Sequence, residues 1–145
     1  MLASTLLTSC IYKSTTGGEC TCVSKTIELP VASKDWIYDG DARRFYCHFK
    51  RSEITSTVYN RGQWTICREY NSGRSDAYQV ALPESVFKVE ETSAGNIYYT
   101  QHIDYAVGLG WVEITLTNSD YGYDQDGHGY LINPEGMVFL MQIHY

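Results

Sequence analysis

The sequence predicts an all-β fold, an antiparallel β-sandwich of Ig-like or jelly-roll-like type with about seven to nine strands. Three observations support this prediction. Apolar and polar side chains alternate over most of the 145 residues. Glycine, proline, asparagine and aspartate separate the alternating runs. No window keeps helical apolar spacing for three turns. A barrel is the second choice, since it is also built from short strands and turns.

In the first half of the chain, five runs are predicted to be strands. Phe45, Cys47 and Phe49 would share one face of the third run, because side chains two residues apart on a strand point the same way. Arg44, Tyr46 and His48 would line the opposite face. The runs are residues 20–29, 36–38, 44–49, 54–58 and 63–70, interrupted by Pro30, by Asp39-Gly40-Asp41 and by Asn60-Arg61-Gly62.

The second half contains the clearest hairpin. Residues 97–107 and 111–117 flank Gly108-Leu109-Gly110, a short glycine-bearing connection of the kind that hairpins use. The other predicted strands are residues 77–82, ending at Pro83, then 86–89, and a closing strand over 137–145 after a polar loop over 118–136. In the hairpin, Val112, Ile114 and Leu116 are expected to form one buried face. In the closing strand, alternation places Phe139, Met141 and Ile143 on one face and Val138, Leu140 and Gln142 on the other.

Composition indicates one compact domain. The chain is 43% hydrophobic and 19% charged, and its length suffices to bury a single core. The net charge of −6 with only 11 basic residues argues against nucleic-acid binding, which needs a concentrated basic face. The small basic cluster Arg43, Arg44, Lys50 and Arg51 is expected to be a solvated strand edge.

The N-terminus is apolar up to Cys10, with no charged residue before Lys13, and it is too short to span a bilayer. Leu7-Thr8-Ser9-Cys10 resembles the lipobox of bacterial lipoproteins, in which the residues before the cysteine belong to a signal peptide. The resemblance implies that Cys10 becomes the first mature residue and carries the acyl chains of a membrane anchor. The alternative is an ordinary apolar first strand or a frayed tail.

These features predict a domain organisation of three parts. Residues 1–9 would be the remnant of a signal peptide, residues 10–19 the lipidated Cys10 with a flexible polar spacer, and residues 20–145 the β-sandwich domain. The expected location is the cell envelope, as an outer-membrane lipoprotein facing the periplasm or the cell surface.

Beyond the N-terminus, the order of several motifs resembles a group of uncharacterised exported lipoproteins of Bacteroidetes. The resemblance covers roughly residues 25–145 and implies an exported β-sandwich domain, without a catalytic residue to carry over. Its elements, in order, are Trp36, the aromatic strand Phe45 to Phe49, Glu53-Ile54-Thr55, Val58, Gly62, Ile66, Leu82-Pro83, a tyrosine-rich hairpin and a final apolar strand.

Cysteine spacing leaves two interpretations open. Cys47 and Cys67 each lie in a predicted strand, where a disulfide between strands or sheets is conceivable in an oxidising compartment. Alternatively, both are small buried hydrophobic residues. Cys20 and Cys22 would point the same way on one strand and could not easily bridge. The spacings do not match a zinc site, and no metal is expected.

The densest polar cluster lies in the loop over residues 118–136. A glycan could stack on its tyrosines and hydrogen-bond to its acidic groups and histidine. Asp124 and Asp126 also resemble part of a calcium loop, but Gly122 and Asn133 stand where an EF-type loop needs its first and twelfth ligands. A third interpretation is a connector whose tyrosines pack on the sandwich. The candidate ligand-binding residues are Tyr121, Tyr123, Asp124, Asp126, His128 and Tyr130.

The leading functional hypothesis is a non-catalytic, lipid-anchored module that binds a glycan or another envelope component, with no cofactor. The alternative is a structural or assembly subunit that pairs with a partner through a sheet edge. A glycan-active hydrolase is less favoured. It needs two carboxylates at a controlled separation. The sequence offers Glu53, Asp104, Glu113 and Asp126, but nothing in it pairs two of them. Cys67 with His48 or His102 lacks a nucleophile signature.

Overall fold

The computed structural model describes residues 8–13, 19–93, 95–119 and 134–145. Over these residues the chain forms ten β-strands, one α-helix and one 3-10 turn at Ser33–Asp35. The helix α1 is Ser56–Arg61. The strands are β1 Thr8–Lys13, β2 Glu19–Val31, β3 Ile37–Asp39, β4 Arg44–Lys50, β5 Gln63–Tyr70, β6 Tyr78–Ala81, β7 Glu84–Thr92, β8 Gly95–Gly108, β9 Trp111–Asn118 and β10 Met137–His144.

The strands form two antiparallel sheets. The first sheet has the order β1-β2-β10-β5-β6 and the second has the order β3-β4-β9-β8-β7. In the first sheet the last strand, β10, lies between β2 and β5, so distant parts of the chain meet at its centre. The two sheets share one hydrophobic core. The predicted antiparallel β-sandwich is therefore confirmed, and the two sheets do not close into a barrel.

The core is built from strand faces that alternation predicted. On β9, Val112, Ile114 and Leu116 are all fully buried. They belong to the same cluster as Phe139 and Met141 on β10, in the opposite sheet. Burying each such side chain stabilises the fold by about 1.5–3 kcal/mol. The packing of these two central strands therefore accounts for much of the attraction between the sheets.

The predicted hairpin of β8 and β9 is confirmed. Gly108 lies opposite Trp111, and Leu109 and Gly110 form the connection. Gly110 has φ 79°, a left-handed conformation that glycine adopts without strain. The indole of Trp111 lies against Gly108, where a Cβ atom would overlap the ring. A glycine at this position therefore lets the tryptophan lie flat across its neighbouring strand.

The prediction of a strand over residues 54–58 is wrong, because this segment enters helix α1. The Thr55 hydroxyl accepts a hydrogen bond from the Val58 N–H at 3.3 Å and so caps the helix. Ile54 and Val58, four residues apart, are both buried in the core. The Gly62 N–H donates to the Val58 carbonyl at 2.8 Å and closes the helix. β-Branched residues favour strands in general, but here the cap and the i, i+4 burial prevail.

Strand β2 extends beyond its predicted end and includes Pro30. This proline lies opposite Val138 of β10. On the other side of β2, β1 pairs only with residues 19–24. Among the residues that the structure describes, no strand pairs with β2 on this side at Pro30, and such a position tolerates the missing N–H. Strand β7 is likewise longer than predicted, and a cis Leu82-Pro83 peptide precedes it.

The backbone of β1 pairs with the start of β2, and Cys10 lies opposite Cys22. Strand β1 thus contains Cys10 and part of the predicted spacer, so residues 8–13 pair as a strand in the intact chain. Cleavage before Cys10 stays a prediction. Within the described ranges, no helix is long and apolar enough to cross a membrane.

Candidate functional site

At one end of the sandwich the space between the sheets becomes polar. On the inner face of β5, Arg68 and Tyr70 follow the buried Ile66 at intervals of two residues. On β8, Gln101 precedes Ile103 on the same face. Arg68, Glu84 and Gln101 are 5%, 8% and 3% exposed. Such deep burial of polar side chains is costly unless they are paired, so this end needs a hydrogen-bonding network.

Arg68 is the centre of that network. Its Nη1 donates to Glu84 Oε1 at 3.3 Å, and its Nη2 donates to Glu135 Oε1 at 2.9 Å. The Tyr70 hydroxyl lies 3.0 and 3.1 Å from the two oxygens of Glu84. The guanidinium carbon lies 4.2 Å from the centre of the Tyr70 ring. Glu84 therefore has both a cation and a hydroxyl donor, which offsets the cost of burying its charge.

Glu135 connects the two sheets. Its Oε1 accepts from Arg68 of β5 and also from Lys88 of β7, whose Nζ is 2.8 Å away. The backbone of the same segment is held separately. The indole N–H of Trp36 donates to the Glu135 carbonyl at 3.1 Å, and the Ser33 hydroxyl donates to the Pro134 carbonyl at 2.6 Å. The position of Glu135 thus depends on the 3-10 turn region as well as on its own side chain.

A cavity of about 310 Å³ opens beside this network. Its volume is at the lower end of the range for ligand pockets, which is roughly 300–1,000 Å³. It offers cationic, anionic, amide and hydroxyl groups together with one aromatic ring. The lining residues are Arg68, Glu69, Tyr70, Asn71, Ser72, Lys88, Glu135, Gly136, Met137 and Val138.

The charge state of the pocket follows from its contacts. The hydrogen bond from Lys88 and the charges of Lys88 and Arg68 lower the pKa of Glu135, against the opposing effect of partial burial. Burial raises the pKa of Tyr70 to about 12, and the charge of Arg68 only partly offsets this. Burial and the neighbouring Glu90 raise the pKa of Tyr99 to about 12. At neutral pH, Glu135 is therefore ionised and both tyrosines are neutral hydrogen-bond donors.

The carboxylates of Glu84 and Glu135 both contact Arg68. A glycosidase also uses a pair of carboxylates, one of them as the general acid. A glycosidase general acid needs a raised pKa. The pKa of Glu135 is lowered instead. Glu135 therefore does not fit the role of a general acid.

The carboxylates that the sequence offered for catalysis lie elsewhere or outside the described residues. Asp104 and Glu113 belong to the outer face of the second sheet, by alternation with their buried neighbours. Glu53 pairs with Lys25 at 3.7 Å. Asp126 lies outside the described residues.

Of the two interpretations left open for Cys47 and Cys67, the disulfide is not formed, because both cysteines are free. Cys47 is 4% exposed in the core, and its Sγ donates to the Asp35 carbonyl at 3.0 Å. Cys67 lies between the buried residues Ile66 and Arg68, so it points to the outer face of the first sheet. A sheet therefore separates the two thiols, and Cys47 fits the alternative interpretation of a small buried residue.

A nucleophilic role for Cys67 has no support in its surroundings. Burial raises its pKa, whereas a nucleophilic cysteine needs a lowered one. His48 and His102 lie on the exposed face of the other sheet. His102 Nδ1 is 3.0 Å from the Ser85 hydroxyl. These surroundings do not bring Cys67 together with either histidine.

A second polar cluster covers the outer face of the second sheet. Glu113 lies 3.4 Å from Arg44 Nη1 and 3.8 Å from His48 Nδ1. The His48 ring stacks on Trp111 with centroids 5.2 Å apart. Arg44, part of the predicted basic cluster, is thus paired with acidic groups. Among the described residues, no group of three or more side chains is arranged to hold a metal ion.

The predicted ligand residues Tyr121, Tyr123, Asp124, Asp126, His128 and Tyr130 lie outside the described residues, as does the calcium alternative built on them. The residues on either side of that segment belong to the polar end. Asn118 Oδ1 accepts from Gln101 Nε2 at 3.3 Å, and Glu135 lines the cavity.

The pocket residues were not among the predicted site residues. Arg68 offered a signal, because it shares a face of its predicted strand with Ile66 and is buried, whereas Glu84 lies outside the predicted strands.

No family model matches the chain, and no curated protein or solved structure matches it.

Proposed function

We propose that the protein is a lipid-anchored module of the bacterial cell envelope that binds a glycan, or another polar envelope component, without transforming it. The observation that carries this proposal is the cavity between the sheets, where a fixed network of charged groups lies beside an aromatic ring. Pockets that combine a few fixed polar groups with aromatic walls favour oriented binding of a polar ligand.

The chemistry of the pocket matches that of a sugar. Sugar hydroxyls both donate and accept hydrogen bonds, which suits Asn71, Ser72 and the charged groups of the lining. The ring of Tyr70 already contacts the Arg68 guanidinium and stacks on Tyr78, so it lines the pocket as a fixed apolar wall. We further propose that Tyr121, Tyr123, Asp124, Asp126, His128 and Tyr130 contribute to the same ligand, since Asn118 and Glu135 flank their segment at this end of the sandwich.

Glycan binding can be tested on an array and quantified by calorimetry. We expect the protein to retain a glycan, and we expect Tyr121→Ala and Tyr123→Ala to weaken binding by about tenfold each, the loss of roughly one aromatic contact. Tyr98→Ala is the matched control, because Tyr98 is 54% exposed on the outer face of the second sheet. An array without binding would count against the glycan, and unchanged affinity in both variants would remove Tyr121 and Tyr123 from the binding site.

The anchor is a separate part of the proposal. It is supported by Leu7-Thr8-Ser9-Cys10 and by the resemblance to exported Bacteroidetes lipoproteins, and it places the domain at the outer membrane, facing the periplasm or the surface. Metabolic labelling with a fatty acid tests it directly. We expect label on the parent chain and on Cys22→Ala, and none on Cys10→Ala. An unlabelled parent chain would contradict the lipid anchor and the outer-membrane location that depends on it.

A second candidate function is assembly through the edge strand β7. This strand has nine residues, and it exposes Phe87 (67%) and Val89 (46%) beside Tyr98 of β8. Lys88, Glu90 and Glu91 also lie along it and discourage unspecific pairing. Light scattering at increasing concentration tests self-assembly. A larger species that disappears in Val89→Lys would favour this candidate, and a monomer at all concentrations would count against it.

A further inference from the structure

Lys88 and Arg68 form a receptor for a single carboxylate oxygen. Lys88 Nζ and Arg68 Nη2 come from opposite sheets, and they approach Glu135 Oε1 at 2.8 and 2.9 Å. Hydrogen bonds between charged groups at such distances are stronger than neutral ones. The sandwich therefore fixes two cationic donors at the geometry that a carboxylate requires.

The carboxylate that they hold is open to solvent. The side chain of Glu135 is 55% exposed, whereas that of Glu84, the other partner of Arg68, is 6% exposed and also receives the Tyr70 hydroxyl. Glu84 is thus the permanent counterion of Arg68. Because Trp36 holds the backbone of Glu135 independently, its side chain can turn away without moving the strand that follows.

The space beside this receptor is suited to the rest of a ligand. The cavity extends from Arg68 and Lys88 to Tyr70, Asn71 and Ser72. Asn71 has φ 54°, a left-handed conformation that asparagine adopts readily, and its Nδ2 donates to Asp76 Oδ2 at 3.1 Å, which fixes its side chain beside the cavity. A molecule whose carboxylate occupied the place of the Glu135 carboxylate would therefore have Tyr70, Asn71 and Ser72 around its body, with Glu69 as a further acidic group in the lining.

We infer that the pocket selects a glycan bearing a carboxylate, a uronic acid, and that this carboxylate replaces that of Glu135 on Lys88 and Arg68. The inference rests on the glycan-binding function proposed above and specifies its ligand class. Glu135 acts as an internal competitor, so the site stays neutralised until an acidic sugar enters. A methyl ester of the same sugar lacks the charge and cannot make the exchange.

The test compares trigalacturonic acid with its fully methyl-esterified form by calorimetry. We expect the native chain to bind the acid about tenfold more tightly than the ester, because only the acid forms charge-assisted bonds. In Glu135→Gln the acid should bind about tenfold more tightly still, since its competitor has lost its charge, while the ester is unaffected. Glu91→Gln makes the same charge change at an exposed position on β7 and should behave as the native chain.

Lys88→Met provides the converse variant. It should lose the preference for the acid while its melting temperature shows that it is folded. Equal affinity for acid and ester, unchanged in Glu135→Gln, would overturn the carboxylate inference and leave glycan binding intact. The same holds if the array retains neutral glycans and trigalacturonic acid does not bind. Tighter binding of trialanine than of the acid would assign the site to a peptide carboxylate and overturn the sugar. An array without any binding would remove the proposed function as well.

Discussion

The two ends of the sandwich interior are built from the same strands and use them in opposite ways. At the apolar end, Met141, Ile143 and Ile114 are fully buried and need only close packing. At the polar end, Arg68 and Glu84 are almost as deeply buried, and each requires a specific partner at a specific distance. On the inner face of β5 the apolar Ile66 is followed two residues later by Arg68, and on β8 the polar Gln101 is followed two residues later by Ile103.

Within one strand, the apolar residues thus serve stability and the buried polar residues serve recognition. Apolar burial is non-directional, so the core can be stabilised without fixing individual atoms. A buried charged network is directional, and each lost partner leaves a group unsatisfied. The polar end therefore contributes less stability per residue than the core, but it holds donors and acceptors in the fixed geometry that ligand recognition needs.

The largest effect is expected in the hydrophobic core. Phe139→Ala should lower the free energy of unfolding by about 4 kcal/mol, since it removes a fully buried ring and leaves a cavity. Phe87→Ala is the control, because Phe87 is 67% exposed and its loss should change stability by less than about 0.5 kcal/mol. Urea unfolding measures both. Similar losses in the two variants would contradict the core described here.

The next effect is expected at the centre of the polar end. Arg68→Met should cost about 3 kcal/mol, because Glu84 then stays buried without a cation. The double variant Arg68→Met with Glu84→Leu should recover most of the loss, since it removes both charges. Urea unfolding again gives the comparison. A double variant as unstable as the single one would show that packing, rather than charge pairing, holds this end together.

Most of the fold could be predicted from the sequence, because alternation of period two records which face of each strand is buried. The strand with Phe45 and Cys47, the β8–β9 hairpin and the closing strand β10 all follow that alternation. The exception is α1. A helix of six residues is too short to show a helical period in the sequence. Thr55, which caps it, is a β-branched residue and therefore also fits a strand.

The candidate site could not be predicted in the same way. Its members come from β5, β7 and the segment before β10, and they meet only because the two sheets pack face to face. Alternation predicts which side of a strand Arg68 occupies, but it does not identify Glu84 or Glu135 as the partners. Alternation likewise does not show that Cys47 points into the core while Cys67 points to the outer face of the other sheet, so the sequence alone left a disulfide open.

A smaller effect distinguishes directional bonding from aromatic packing. Tyr70→Phe should cost about 1.5 kcal/mol, because it keeps the ring and removes the hydroxyl that contacts the ionised Glu84. Tyr78→Phe is the matched control. Tyr78 stacks on Tyr70 with centroids 4.9 Å apart, but it is 54% exposed, so its hydroxyl can reach water. Equal stability of the two variants would remove the Tyr70 hydroxyl from the network.

The smallest effect concerns Glu135 and depends on pH. Its pKa is lowered in the folded protein by Lys88 and Arg68, so folding favours the ionised carboxylate. The stability that it contributes is therefore fully present above the pKa of the unfolded chain, and it is lost as pH falls through the folded pKa. Urea unfolding of the native chain and of Glu135→Gln should differ at neutral pH and converge below about pH 4, the ordinary range of a glutamate. Glu91→Gln, at an exposed position, should show no such convergence. A stability gap that persists in acid would mean that Glu135 joins the sheets through its shape and neutral hydrogen bonds, and that the polar end is less dependent on charge than the distances to Lys88 and Arg68 imply.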